Sequence, residues 1–264
     1  MPSLPELEVY RKELSPQIVG RVVTAVEPLD YRVVRADVEA MKRRLVGRAV
    51  REIRRYGKWL MLSTGEPPEL VFHLGLTGKL KVVAEGEKMP GYAAFALGFH
   101  GGSRLVMSDQ KKLGKVYLRD FEEIKAEKQL GPDQLDMSEA EFVKALTRRK
   151  RAREALMDQK KIAGIGGKYA DEILWQARLH PNMRLQTIGD DQRRELYRLA
   201  HDITASAIAL EANVERYPAN WLIPHRKTDL VCPRCGGPLT ARDLSGSATV
   251  YCPACQPPPN PYER

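Results

Sequence analysis

The period of the apolar positions changes near residue 130, and that change divides the chain. Ahead of it, Leu4, Leu7, Tyr10 and Leu14 recur at helical intervals. Glu6 stands three residues after Ser3, the spacing of a capping box, so a helix is predicted over 3–14. Short β-branched or aromatic runs follow at 22–26, 49–53, 59–62, 70–74, 80–83, 94–99 and 104–107. Turn residues such as His100-Gly101-Gly102-Ser103 separate them, which predicts a β-sandwich, interrupted by one helix near 36–45. After Gly131-Pro132 the spacing is helical: Ser138 opens a second capping box, and Phe142, Leu146 and 155–157 keep the period. Further helices are predicted at 169–179 and 190–210, with Pro181 and Pro218 as punctuation. The fold class is therefore α+β and multidomain. Residues 1–130 hold the N-terminal helix and sandwich, 131–225 a helical domain, and 226–264 a small ribbon.

Composition narrows the partners. The 264 residues are 43% apolar, enough for more than one buried core. No apolar run approaches the ~18 residues of a membrane span. Glu6, Glu8, Arg11 and Lys12 interrupt any signal-like start, so a cytoplasmic monomer with no membrane partner is expected. The net charge of +9 favours a polyanion, nucleic acid before membrane.

Cys232-Pro-Arg-Cys235 and Cys252-Pro-Ala-Cys255 are two C-x2-C knuckles. Each turn presents two thiolates on one side, and together they complete a tetrahedral cage for a structural zinc ion with no open coordination position. Two disulfides or idle thiols are the alternative, less suited to a cytosolic chain. Gly164, Gly166 and Gly167 lie in a turn that opens a helix, where free N–H groups and the positive dipole end favour phosphate. An ordinary inter-helix turn has the same composition. At the other end, removal of Met1 would give Pro2 a secondary amine able to attack a sugar aldehyde and form an iminium.

The stretch Met1-Pro2-Ser3-Leu4-Pro5-Glu6-Leu7-Glu8 closely resembles the N-terminus of the formamidopyrimidine-DNA glycosylase and endonuclease VIII family, Pro-Glu-Leu-Pro-Glu-Val-Glu. The likeness extends through the sandwich, a helix–two-turn–helix segment running to Pro181, and the zinc ribbon, in the family's order. It implies that Pro2 is the nucleophile, that position 3 is the family's general acid/base, that Glu6 stands beside it, and that Lys58 approaches the lesion or its phosphate. It also implies DNA contacts from Leu76, Lys111, Lys112, Leu113, Gly166, Gly167, Lys168 and Ser247.

Several of these positions depart from the pattern. Ser3 replaces the acidic residue, and Leu76 replaces the void-filling methionine with similar volume. Lys111 and Leu113 replace an inserted arginine and a phenylalanine wedge, Gly167 a phosphate-binding asparagine, and Ser247 the arginine of the finger tip. Lys168 restores charge beside Gly167. A short segment leads from the last long helix to the cysteines, where the 8-oxoguanine-excising branch carries a longer one with a closing loop.

The function expected is a DNA-repair glycosylase and abasic-site lyase. Schiff-base chemistry at Pro2 would act on abasic or damaged DNA, duplex or single-stranded, with base excision altered or reduced by Ser3. The alternative is a catalytically inactive binder of damaged or distorted DNA. A zinc-ribbon adaptor for proteins leaves the N-terminal pattern unexplained.

Overall fold

The computed structural model describes residues 2–146, 149–226, 230–244 and 247–258, without the side chains of Leu244 and Ser247. Two compact units divide at Lys128 and Gln129.

The first unit begins with α1 (Leu4–Ile18), followed by β1 (Val23–Pro28) and α2 (Val38–Leu45). Then come β2 (Glu52–Tyr56), β3 (Trp59–Ser63), β4 (Glu69–His73), β5 (Lys79–Val83), β6 (Ala93–Phe99), β7 (Arg104–Ser108), β8 (Lys115–Arg119) and α3 (Phe121–Lys128). The strands form two antiparallel four-stranded sheets, ordered β1-β6-β7-β5 and β2-β3-β4-β8. Their inner faces share one core, in which the Phe72 and Phe95 rings meet edge to face at 6.0 Å. Leu7, Leu14 and Ile18 of α1 and Met41 and Leu45 of α2 join that core. Burial of each such side chain contributes about 2 kcal/mol.

The second unit holds α4 (Glu139–Ala145), α5 (Ala152–Leu156), α6 (Gly167–Gln176), α7 (Asp190–Ala209) and α8 (Leu222–His225). A hairpin of β9 (Thr240–Leu244) and β10 (Ser247–Tyr251) follows. Tyr169, Ile173, Leu174, Leu196, Ala200 and Ile203 centre the helical core.

The structure departs from the periodicity reading in five places. The first helix continues to Ile18, past Pro16, because Ile18 is fully buried beyond the lost donor. The strand expected at 49–53 lies at Glu52–Tyr56, drawn there by its hairpin pairing with β3, and Ala49 makes only an isolated bridge to Val22. The helical spacing across 142–157 is two short helices, α4 and α5, rather than one. The helix expected from 169 begins at Gly167. Strand β8 and helix α3 were not anticipated, since Lys115, Arg119 and the charges of α3 hide their few inward apolar residues.

Candidate functional site

One end of the sheet β2-β3-β4-β8 gathers the first group of candidate residues. The ladder pairs Tyr56 with Trp59, Trp59 with His73 and His73 with Lys115, so the 57–58 turn, the end of β4 and the start of β8 are neighbours. Gly57 takes φ +53° in that two-residue turn, which any other residue adopts at a cost. Lys58 beside it is 7% exposed. Burial pulls its ammonium down to about 8, with the Glu6 charge opposing the shift. The His73 ring lies 4.7 Å from Trp59. Burial, reinforced by the charges of Lys58, Lys115 and Lys128, lowers His73 to about 4, so its imidazole is neutral at pH 7.

Ser3 and Glu6 form the capping box of α1. The Glu6 carboxylate accepts the Ser3 N–H at 2.9 Å, and Ser3 itself is buried. One turn on, Glu8 accepts from Arg11 and from Arg55 of β2, whose Nε lies at 3.1 Å. Burial pushes Glu8 up, but the two guanidiniums outweigh it and hold the carboxyl below its ordinary value. This pairing ties the start of α1 to the strand that leads into Lys58. Arg55 is itself buried against Glu8. Arg54, its neighbour on β2, pairs with Glu69 and Glu52.

Two loops meet at the same end of the sheet. Gly75, at φ +58°, has space for no side chain: a Cβ there would sit 2.6 Å from the Gly114 nitrogen. Buried Asp109 holds the contact, accepting the Gly114 N–H at 2.7 Å, the Lys111 N–H at 3.2 Å and the Thr77 hydroxyl. The loops thereby carry Leu76 and Leu113 together, and both remain large exposed apolar residues, 44% and 49% exposed. Lys111 is exposed as well. The Lys112 amine turns inward, donating to the Tyr92 carbonyl at 2.9 Å and lying 3.7 Å from Asp30.

In the second unit, Gln159 shapes the glycine-rich turn. Its amide donates to the Met157 and Ile165 carbonyls and accepts the Gly164 N–H at 2.9 Å. Gly164 has φ +121°, whereas Gly166 caps α6 with an extended φ of −112°. The Gly166–Gly167 backbone opens the helix, and the Lys168 ammonium lies 4.8 Å over the Tyr169 ring. The reason for glycine at 167 is specific: a Cβ there would lie 2.9 Å from the Arg153 guanidinium. Arg153 and its partner Asp171 were missed from sequence. Only their placement on facing helices makes them a pair, with Nε to Oδ1 at 2.6 Å. The Ser247 side chain lies outside what the structure describes.

The four cysteine sulfurs lie within 4.8 Å of one another. Cys232–Cys255 and Cys235–Cys252 are 3.8 and 3.6 Å apart, far longer than a disulfide bond. They match the ~3.8 Å edge of a tetrahedron with Zn–S bonds of about 2.3 Å. Cys232, Cys235, Cys252 and Cys255 therefore fit a structural zinc ion, which would fold the ribbon and offer no catalytic position. Arg234 stacks 4.0 Å over Trp175 and donates to its carbonyl, and buried Gln256 bridges the Cys252 N–H and the Leu179 carbonyl. Both seat the ribbon on the C-terminal end of α6.

Comparison with known proteins gives three family matches in chain order. Residues 1–116 match the formamidopyrimidine-DNA glycosylase N-terminal domain, 130–217 the formamidopyrimidine-DNA glycosylase H2TH domain, and 229–258 a zinc finger found in FPG and IleRS. The formamidopyrimidine-DNA glycosylase of Thermus thermophilus is 32% identical, covering 97% of this chain and 98% of that protein. That of Chloroflexus aurantiacus is 30% identical over the same shares. A solved structure described as a complex between the Lactococcus lactis Fpg and an abasic site containing DNA superposes with a TM-score of 0.86 at 27% identity, over 97% of this chain and 100% of that one. Another, of the Lactococcus lactis protein with a DNA containing N7-benzyl-Fapy-dG, gives 0.87 at 26% over the same shares. The chain belongs to the formamidopyrimidine-DNA glycosylase family.

Proposed function

We propose that this protein is a DNA-repair enzyme that opens abasic sites through the amine of Pro2, with base excision reduced by the serine at position 3. The observation that carries this reading is the capping box at the head of α1. Ser3 supplies a cap where a catalytic acid would stand, and the Glu6 carboxylate is bonded to the Ser3 backbone at 2.9 Å. An aldehyde already exposed at an abasic site needs no departing base. In a chain freed of Met1, the Pro2 nitrogen adds to C1′ of the ring-opened sugar and water leaves to give the iminium. Loss of a C2′ proton then expels the 3′ phosphate, and hydrolysis of the imine returns the amine. Lys58, with an ammonium lowered to about 8, is the second amine able to serve at this end of the sheet.

The relatives solved with abasic and damaged DNA support DNA as the partner, as does the net charge of +9. Leu76, Lys111 and Leu113 would meet the distorted duplex, the Gly166–Lys168 segment a backbone phosphate, and the ribbon around Ser247 a further one. The parts 1–130, 131–225 and 226–264 would divide chemistry, backbone grip and ribbon contact. A second reading, a binder without catalysis, draws on Ser3, Gly167, Lys111, Leu113 and Ser247 together. Strand scission at an abasic site by Met1-free protein is expected and separates the two. Tight binding without scission would establish the binder instead.

A further inference from the structure

Arg153, on α5, is 5% exposed, and its guanidinium reaches two elements at once. Its Nε donates to Asp171 of α6 at 2.6 Å, and its Nη2 donates to the carbonyl of Ala248 in β10 at 3.1 Å. The other Asp171 oxygen accepts the Val250 N–H of β10 at 3.0 Å and pairs with Arg226 at 2.8 Å. The ribbon strand is thus held to α6 through one buried carboxylate and one buried guanidinium. The same Nη2 lies 2.9 Å from where a Cβ on Gly167 would stand. An arginine tip can usually swing aside, but this one is fixed by both bonds and by burial.

We propose that Arg153 is a positioning residue that clasps the zinc ribbon to α6, and that the clasp and a side chain at position 167 exclude each other. Glycine at 167 is then required by the clasp, and the protein gives up a directed side-chain contact there in exchange for a fixed ribbon. The consequence for phosphodiester binding rests on the DNA reading above; the clasp itself does not.

The test is a mutant cycle on the zinc-loaded, full-length protein with Gly167→Asn, Arg153→Lys and both together. Two quantities are read: amide exchange at Val250, and affinity for a duplex carrying a tetrahydrofuran abasic analogue. Gly167→Asn alone is expected to speed Val250 exchange and weaken the duplex, each by about tenfold, because the asparagine displaces the guanidinium. In the double variant the shorter lysine leaves room for the asparagine and keeps a cation on Asp171. Affinity should then return to within about threefold of wild type, a clear departure from additivity. Unchanged Val250 exchange in Gly167→Asn, or single effects that multiply in the double, would overturn the clasp. If the wild-type protein fails to hold the duplex, the DNA reading falls, and the exchange measurements still decide the clasp.

Discussion

At the scale of single residues, the buried amine of Lys58 carries the clearest linkage between charge and stability. Its folded-state value near 8 lies below the ordinary 10.5, so between those values the unfolded chain binds more protons. Stability contributed by this site therefore rises with pH across that window, and the full cost is present below it. Lys58→Met should stabilise the fold at pH 7 by on the order of 2–3 kcal/mol, an advantage that fades toward pH 10.5. Denaturant melts at pH 7 and pH 10 check it, and an equal effect at both would contradict the burial argument. Ser3→Glu should raise base excision on damaged duplex by roughly 10²–10⁴, read as release of free base. The N-terminal helix, its cap and the four cysteines were legible in the sequence because each is a local spacing. The burial of Lys58 was not, since a lysine in a turn reads as a solvated one until the strands beside it are placed. The Arg55–Glu8 pair was hidden for the same reason: the two residues are distant in sequence and adjacent only across the sheet edge.

At the scale of elements, glycines and one carboxylate assemble the paired loops. Gly78 leaves no space for a side chain, since a Cβ would lie 2.2 Å from the Leu74 carbonyl oxygen, and Gly75 adds a positive φ to its contact with Gly114. Gly78→Ala should cost at least about 2 kcal/mol. A milder Leu113→Ala should leave the melting temperature within a degree or two and weaken binding to distorted duplex, as removal of an exposed apolar wedge would. A fold destabilised by Leu113→Ala would contradict the exposed placement of that residue. The ribbon depends on its metal. Chelation of zinc should release Val250 and Gln256 from their bonds to Asp171 and Leu179 while the helical core around Tyr169 persists. Tryptophan fluorescence follows the change, because Trp175 packs against Cys232 and Cys252. The sandwich was readable from alternating runs, but β8 and the break between α4 and α5 were not. Their charged residues blur the period, and their positions follow from tertiary pairing with Glu69–His73 and with the α6–α7 core.

At the scale of the whole molecule, a scaffold matched to its family over nearly its full length carries a serine at position 3. Sequence order alone exposed the succession of sandwich, helical segment and ribbon. The clasp of Arg153 required three elements in their places. The proposed chemistry requires the Pro2 amine to work without an acid at position 3. Borohydride trapping on abasic-site duplex, followed by peptide mass mapping of Met1-free protein, is the decisive test. A covalent adduct is expected on the peptide that begins at Pro2. Protein that binds the duplex yet yields no adduct, or an adduct found only on the Lys58 peptide, would contradict it.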